Sequence, residues 1–236
     1  MKIRVIQFEE WVDGGYIKTW AKEKGHELRY TKLFKYEELP TDIESDALII
    51  LGGPQDPATT VEEYPYYDTS KIRPFIKKYI DANKIVFGTC LGAQLIGEAL
   101  GAKYSHSPNK EVGITKGVLT KEGREDKNLS HFPDVTDIAG WHNDMPGLTK
   151  EAKILMYSEG CPRQIVRYSK FVYGFQTHME FDHRSLLTAV EACKEELRTL
   201  KGPYIQNEKE ILSFDTREMN NLLCTFLDNL VSDYLQ

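Results

Sequence analysis

Cysteine is scarce in this chain: four are spread over 236 residues, at positions 90, 161, 193 and 224, with no Cys-x-x-Cys pair. That spacing argues against a zinc site or a disulfide framework, and it fits reduced thiols in a cytoplasmic setting. Long apolar runs are missing too. No stretch approaches the ~20 apolar residues that a membrane-spanning helix needs. The opening "MKIRVIQFEEW" alternates in character and offers no apolar core for a signal peptide. Basic charge is not in excess either, since 30 Lys and Arg stand against 36 Asp and Glu, a net charge of −6. A chain that grips a phosphate backbone carries the opposite balance. The expectation is a cytoplasmic protein with neither membrane nor nucleic acid as partner.

What is present is an alternation of short apolar strands with amphipathic helices. "KIRVIQF", "HELRYTKLF", "DALIILGG" and "KIVFG" read as strands, with "GGYIKTWAKEKG", "TSKIRPFIKKYIDAN" and "LGAQLIGEALG" as helices. Near-continuous apolar runs suit strands covered on both faces, which predicts an open, mostly parallel α/β sheet with helices on each side. The middle changes to short strands separated by turn residues ("VGITKGVLT", "DVTDIAGW", "KILMYSE", "RQIVRYS", "FVYGFQTH"), expected to add antiparallel strands at one edge. The "WHNDMPG" stretch reads as a turn. The last third is helical: "SLLTAVEACKEELRTL" reads as one helix, and another opens with Asp215 and Glu218 at capping-box spacing. One domain over residues 1–236 is expected, with 183–236 a helical extension packed on it.

The most demanding pattern lies in "FGTCLGAQ". Cys90 stands between Gly88 and Gly92, where a strand turns into a helix, and Gln94 follows one helical turn later. A chance match to Gly-x-Cys-x-Gly-x-Gln in this length is on the order of one in a thousand. Sharp strand–nucleophile–helix turns need small neighbours, and they leave the nucleophile at a helix N-terminus that favours a thiolate. The Leu91 N–H, first after the cysteine, is positioned by the same turn to meet an oxyanion. Cys161, Cys193 and Cys224 have no such setting and are read as small buried residues.

A cysteine nucleophile needs a base, and the base needs an acid to orient it. Two histidines have a carboxylate two residues on: His142 with Asp144, and His178 with Glu180. On extended backbone each pair would point the same way, so spacing does not choose between them.

"FGTCLGAQLIGEALGA" resembles the nucleophile segment of class I (triad) glutamine amidotransferases, and "IILGGPQDP", "EVGITKG", "WHND", "CPRQIVRY" and "VYGFQTHMEF" follow the family in order. The match spans about residues 46 to 182 and is most similar to free-standing, GMP-synthase-like members. The resemblance implies a flavodoxin-like sheet and a Cys90–His178–Glu180 triad, with Gly53 N–H as the second oxyanion donor beside Leu91. It also implies Gln94 near bound glutamine, and Glu111, His142 and Asp144 as substrate contacts. Met179 departs from the family's His-Pro-Glu, which removes a rigid φ between base and orienter. The implied activity is hydrolysis of the L-glutamine side-chain amide through a cysteinyl thioester, with no metal and no organic cofactor. The ammonia would pass to a separate synthase subunit. Two other readings remain open: a γ-glutamyl amide or peptide hydrolase with the same triad, and a non-catalytic regulatory module on the same fold.

Overall fold

A computed structural model describes residues 1–236. Strand β1 (Lys2–Gln7) pairs in parallel with β2 (Glu27–Lys32) and with β3 (Ala47–Ile50). The parallel run continues through β4 (Ile85–Thr89) to β9 (Val172–Phe175). Beyond β9 the sheet turns antiparallel with β8 (Ile165–Ser169), β7 (Lys153–Tyr157), β5 (Ser105–Leu119) and β6 (Val135–Met145). The nine strands take the order β2-β1-β3-β4-β9-β8-β7-β5-β6. The sheet is open, with its antiparallel strands gathered at one edge as expected.

Both faces of the parallel half are covered, which explains the unbroken apolar runs. In β3, Leu48 and Ile50 face one core layer while Ala47 and Ile49 face the other. The smaller layer packs under α2 (Thr69–Asp81) and α3 (Leu91–Ala99). The larger takes side chains from α1 (Tyr16–Glu23), α5 (His183–Ala192) and α8 (Arg217–Leu235). Shorter helices α4 (Lys121–Glu125), α6 (Lys194–Thr199) and α7 (Glu208–Leu212) complete the set. Helix α2 starts at Asp68, whose carboxylate accepts from Ser70 N–H, and carries Pro74 in its second turn.

Three local expectations are corrected. "WHND" is strand, not turn: β6 runs on to Met145 because β5 follows it past a bulge, pairing Glu111 with His142 and His106 with Asp144. The helix read over 185–200 is two, broken at Cys193. The Asp215–Glu218 capping box does not form. Asp215 accepts from the backbone and guanidinium of Arg217, and α8 begins one residue later than that box requires, with Thr216 at its N-cap. A capping box forms instead at α7, between Asn207 and Glu210.

Candidate functional site

The turn between β4 and α3 is as tight as its glycines suggest. A methyl group on Gly88 would lie 2.4 Å from the Gly92 carbonyl carbon, and one on Gly92 would lie 2.1 Å from Ile50 O. Cys90 itself holds φ 49° and ψ −111°, a conformation L-residues rarely adopt. Its thiol stands where α3 begins, 6 % of the residue is exposed, and Gln176 Nε2 donates toward Sγ at 3.5 Å.

His178 arrives from the end of β9. Its backbone N–H donates to Ala139 O on β6, and its Nδ1 lies 2.7 Å from Glu180 Oε1. Both side chains are buried. Burial acts to lower the imidazole's pKa, but the charges of Glu180 and Cys90, and hydrogen bonds to both, outweigh it and push it up to about 10. The ring and the thiol share one niche. A methyl group added to Gly52 would sit 3.0 Å from His178 Cε1 and 3.3 Å from Cys90 Cβ. Gly52 and Gly53 therefore serve through their small size. Neither adopts a left-handed backbone.

Leu91, first residue of α3, has no acceptor within its helix. Neither its N–H nor that of Gly53 bonds a carbonyl among the loop and cap contacts. Gln94 is buried, with Nε2 donating to Gln176 Oε1 at 3.1 Å and its own Oε1 left without a partner. Gln94, Gln176 and Cys90 thus form a chain of contacts. Gln176 had no signal in the sequence beyond following a strand.

These groups line a cavity of about 230 Å³ bounded by Gly53, Gln55, Cys90, Gln94, Trp141 and His178. Two wider depressions, one beside α2 and one between α7 and β6, contain no nucleophile–base pair. His142 and Asp144 line the cavity as well. Asp144 Oδ1 lies 2.5 Å from His106 Nδ1. His142 Nε2 lies 3.1 Å from Glu111 Oε2, off the line of a good hydrogen bond, and Nδ1 has no partner. Glu111 is not a cavity wall. It is sealed behind His142, accepting from Ser158 Oγ at 2.6 Å and Gln164 Nε2 at 2.5 Å.

The remaining cysteines differ from one another. Burial pushes the Cys161 thiol up to about 11 and Cys224 up to about 12. Cys193 corrects its expectation as an ordinary buried residue. It sits at the α5–α6 break and lines the same cavity as Cys90, its pKa raised by burial and drawn back in part by Trp141. Lys110 and Glu196, both unremarked in the sequence, also reach this cavity.

Residues 12–191 match the family model for glutamine amidotransferase class-I. The chain is 40 % identical over 238 aligned positions, covering all of both chains, to YfeJ, a glutamine amidotransferase-like protein of Salmonella typhimurium. It is 31 % identical to a glutamine-hydrolyzing GMP synthase component from Thermoplasma volcanium, over 78 % of this chain and 85 % of that one. A crystal structure of a protein designated SMU.1228c superposes with a TM-score of 0.95 at 42 % identity, covering 98 % of this chain and 100 % of that chain. A glutamine amidotransferase of Thermotoga maritima shares the fold at TM-score 0.86 and 24 % identity, over 98 % of each. By its match over most of its length, the chain belongs to the class I glutamine amidotransferase family.

Proposed function

We propose that the protein hydrolyses the side-chain amide of L-glutamine, with Cys90 as nucleophile, His178 as acid and base, and Glu180 as its orienter. The Cys90 thiolate attacks the carboxamide carbon, and the oxyanion accepts from the N–H groups of Gly53 and Leu91. The His178 imidazolium gives its proton to the departing nitrogen, so ammonia leaves and a thioester remains. The imidazole then takes a proton from water, hydroxide adds to the thioester carbon, and glutamate departs as the thiolate is restored. Gln94 and His142 contact the substrate from the cavity wall, and Asp144 borders it. No step requires a metal or organic cofactor.

The observation that carries this reading is the shared niche of Cys90 and His178, with Glu180 2.7 Å from the far ring nitrogen. Four free cysteines fit a reducing cytoplasm, where a separate synthase subunit would take up the ammonia. Residues 1–236 act as one amidotransferase unit, with 183–236 packed on it.

The test is glutamate release from glutamine and from γ-glutamyl amides by the wild-type protein and Cys90→Ala. Glutamine turnover lost in the variant is expected. Preference for γ-glutamyl conjugates would make the protein a γ-glutamyl hydrolase. Equal rates in both proteins, or no covalent capture of Cys90 by a glutamine-like electrophile, would overturn the proposal.

A further inference from the structure

The Gly52-Gly53 loop has little of its own to hold it in place. Glycine backbone is soft, and the Gly53 N–H has no carbonyl acceptor. An oxyanion donor works only if it is aimed before the charge appears. What fixes Gly53 comes from outside the glycine pair. Gln55, two residues on and buried, folds its side chain back over Gly53, so that a methyl group there would lie 2.4 Å from Gln55 Oε1. The other end of that amide is tied to Glu9, in the loop after β1, with Nε2 2.6 Å from Glu9 Oε1.

A carboxylate only accepts, so this bond sets which way the amide points: nitrogen to Glu9, oxygen over Gly53. The same Glu9 oxygen accepts from Tyr66 OH at 2.5 Å, and Tyr66 OH lies 3.3 Å from Gln55 Nε2. Burial and the bond to Glu9 raise the Tyr66 pKa, so the hydroxyl keeps the proton it donates. Glu9 is held in turn. Gln7 of β1, buried, donates to the carbonyls of Glu9 and Glu10 at 2.9 and 3.3 Å. The brace thus runs from β1 through one carboxylate to the loop after β3, the strand beside it. Hydrogen bonds to an ionised acceptor are about twice as strong as neutral ones, which suits a carboxylate at the centre. Gln55 Oε1 has no partner, so the amide is anchored at its nitrogen end alone.

We propose that Glu9 is a positioning residue for the reaction: through Gln55 it fixes the aim of the Gly53 N–H at the developing oxyanion. The inference rests on the Cys90 reading above and adds a residue that does not touch the reacting atoms. Neither Glu9 nor Tyr66 lines the Cys90 cavity, so removing the carboxylate leaves the cavity walls in place. Its loss is therefore felt where the oxyanion forms and not where the substrate first binds.

The experiment measures glutamine turnover, and the rate at which iodoacetamide alkylates Cys90, in the full chain and four variants. These are Glu9→Ala, Glu9→Gln, Gln55→Ala and the double variant (Glu9→Ala with Gln55→Ala). In Glu9→Ala, kcat should fall on the order of tenfold, less than the ~10²–10³ that follows outright loss of an oxyanion donor. KM should change little, as for an interaction made only in the transition state. Alkylation develops no oxyanion, so its rate should stay near that of the wild type. Glu9→Gln keeps an acceptor oxygen for Gln55 and Tyr66 and should recover most of the loss. The double variant should lose no more than the larger single loss, because both changes release the same amide. Full kcat in Glu9→Ala, additive losses in the double variant, or an alkylation rate that falls with kcat would overturn the proposal and leave the Cys90 chemistry standing. A wild-type protein that releases no glutamate from glutamine or γ-glutamyl amides would remove the underlying reading, and this inference with it.

Discussion

At Cys90 the chain holds a side chain where the backbone suits glycine: φ is 49° and ψ is −111°. Such conformations cost on the order of 1–3 kcal/mol. Glycine relieves the strain but adds freedom to the unfolded chain, which offsets part of the gain. Cys90→Gly is therefore expected to exceed Cys90→Ala in stability by about 1 kcal/mol, read from denaturant midpoints with unchanged slopes. An alanine variant more stable than the glycine one would show that the turn is unstrained. The neighbouring histidine gives a second outcome. Its pKa is raised to about 10 because Glu180, Cys90 and their hydrogen bonds overcome burial. In the proposed mechanism the protonated ring is the acid that gives its proton to departing ammonia, so kcat/KM should fall on the alkaline side near pH 10. Glu180→Gln removes one raising influence, and the alkaline limb should move to lower pH. A limb that stays in place in that variant would mean His178 is not the titrating group.

Among the elements, α8 has a role that neither its apolar stripe nor the family pattern announces. Asn220, buried on its first turn, donates both amide hydrogens, to Met179 O and to Phe181 O, each at 2.9 Å. Tyr16 N–H takes the carbonyl between them, Glu180 O, at 2.8 Å. Three successive carbonyls are thus held around Met179, the residue between His178 and Glu180. Asn220→Ala should lower kcat by about 10- to 100-fold through a misplaced His178–Glu180 pair, with KM little changed. The alkaline limb should shift in the same variant. A loss of stability alone, with kcat intact, would reduce Asn220 to a packing residue. The sequence could not reveal this brace, because it joins positions about 40 residues apart through one amide. The nucleophile turn was legible because Gly88, Cys90, Gly92 and Gln94 are local and sterically forced. The β5 bulge was not, since three extra residues break the alternation by which strands are read, and "WHND" passed for a turn. Cys193, Lys110 and Glu196 stayed hidden for a related reason: a helix break and a bulge decide what they face, and neither leaves a local pattern.

At the scale of the whole molecule, the chemistry on β4 and β9 is backed by the C-terminal helices. Phe226 of α8 lies against Phe87 of β4, with ring centres 5.8 Å apart, and against Tyr173 and Phe175 of β9, at 5.1 and 4.8 Å. These are the strands that deliver Cys90 and His178. Further ties bind the helix to the sheet layer, including Trp20 Nε1 donating to Asp228 at 2.9 Å and Lys127 paired with Asp233. Leu222, Leu223, Leu227 and Leu230 of α8 belong to the same buried cluster as Ile3 and Val5 of β1 and Ile49 of β3. A core shared this widely should not release residues 183–236 and keep the rest. Phe226→Ala should cost about 3–5 kcal/mol, as for deletion of a fully buried ring, and the loss should appear in one cooperative transition. Fluorescence, far-ultraviolet dichroism and the accessibility of Cys161 to thiol reagents should therefore report the same midpoint. If the helical signal melted first while Cys161 stayed protected and Cys90 kept its reactivity, the extension would be a separable layer, and its part in shaping the cavity would be lost with it.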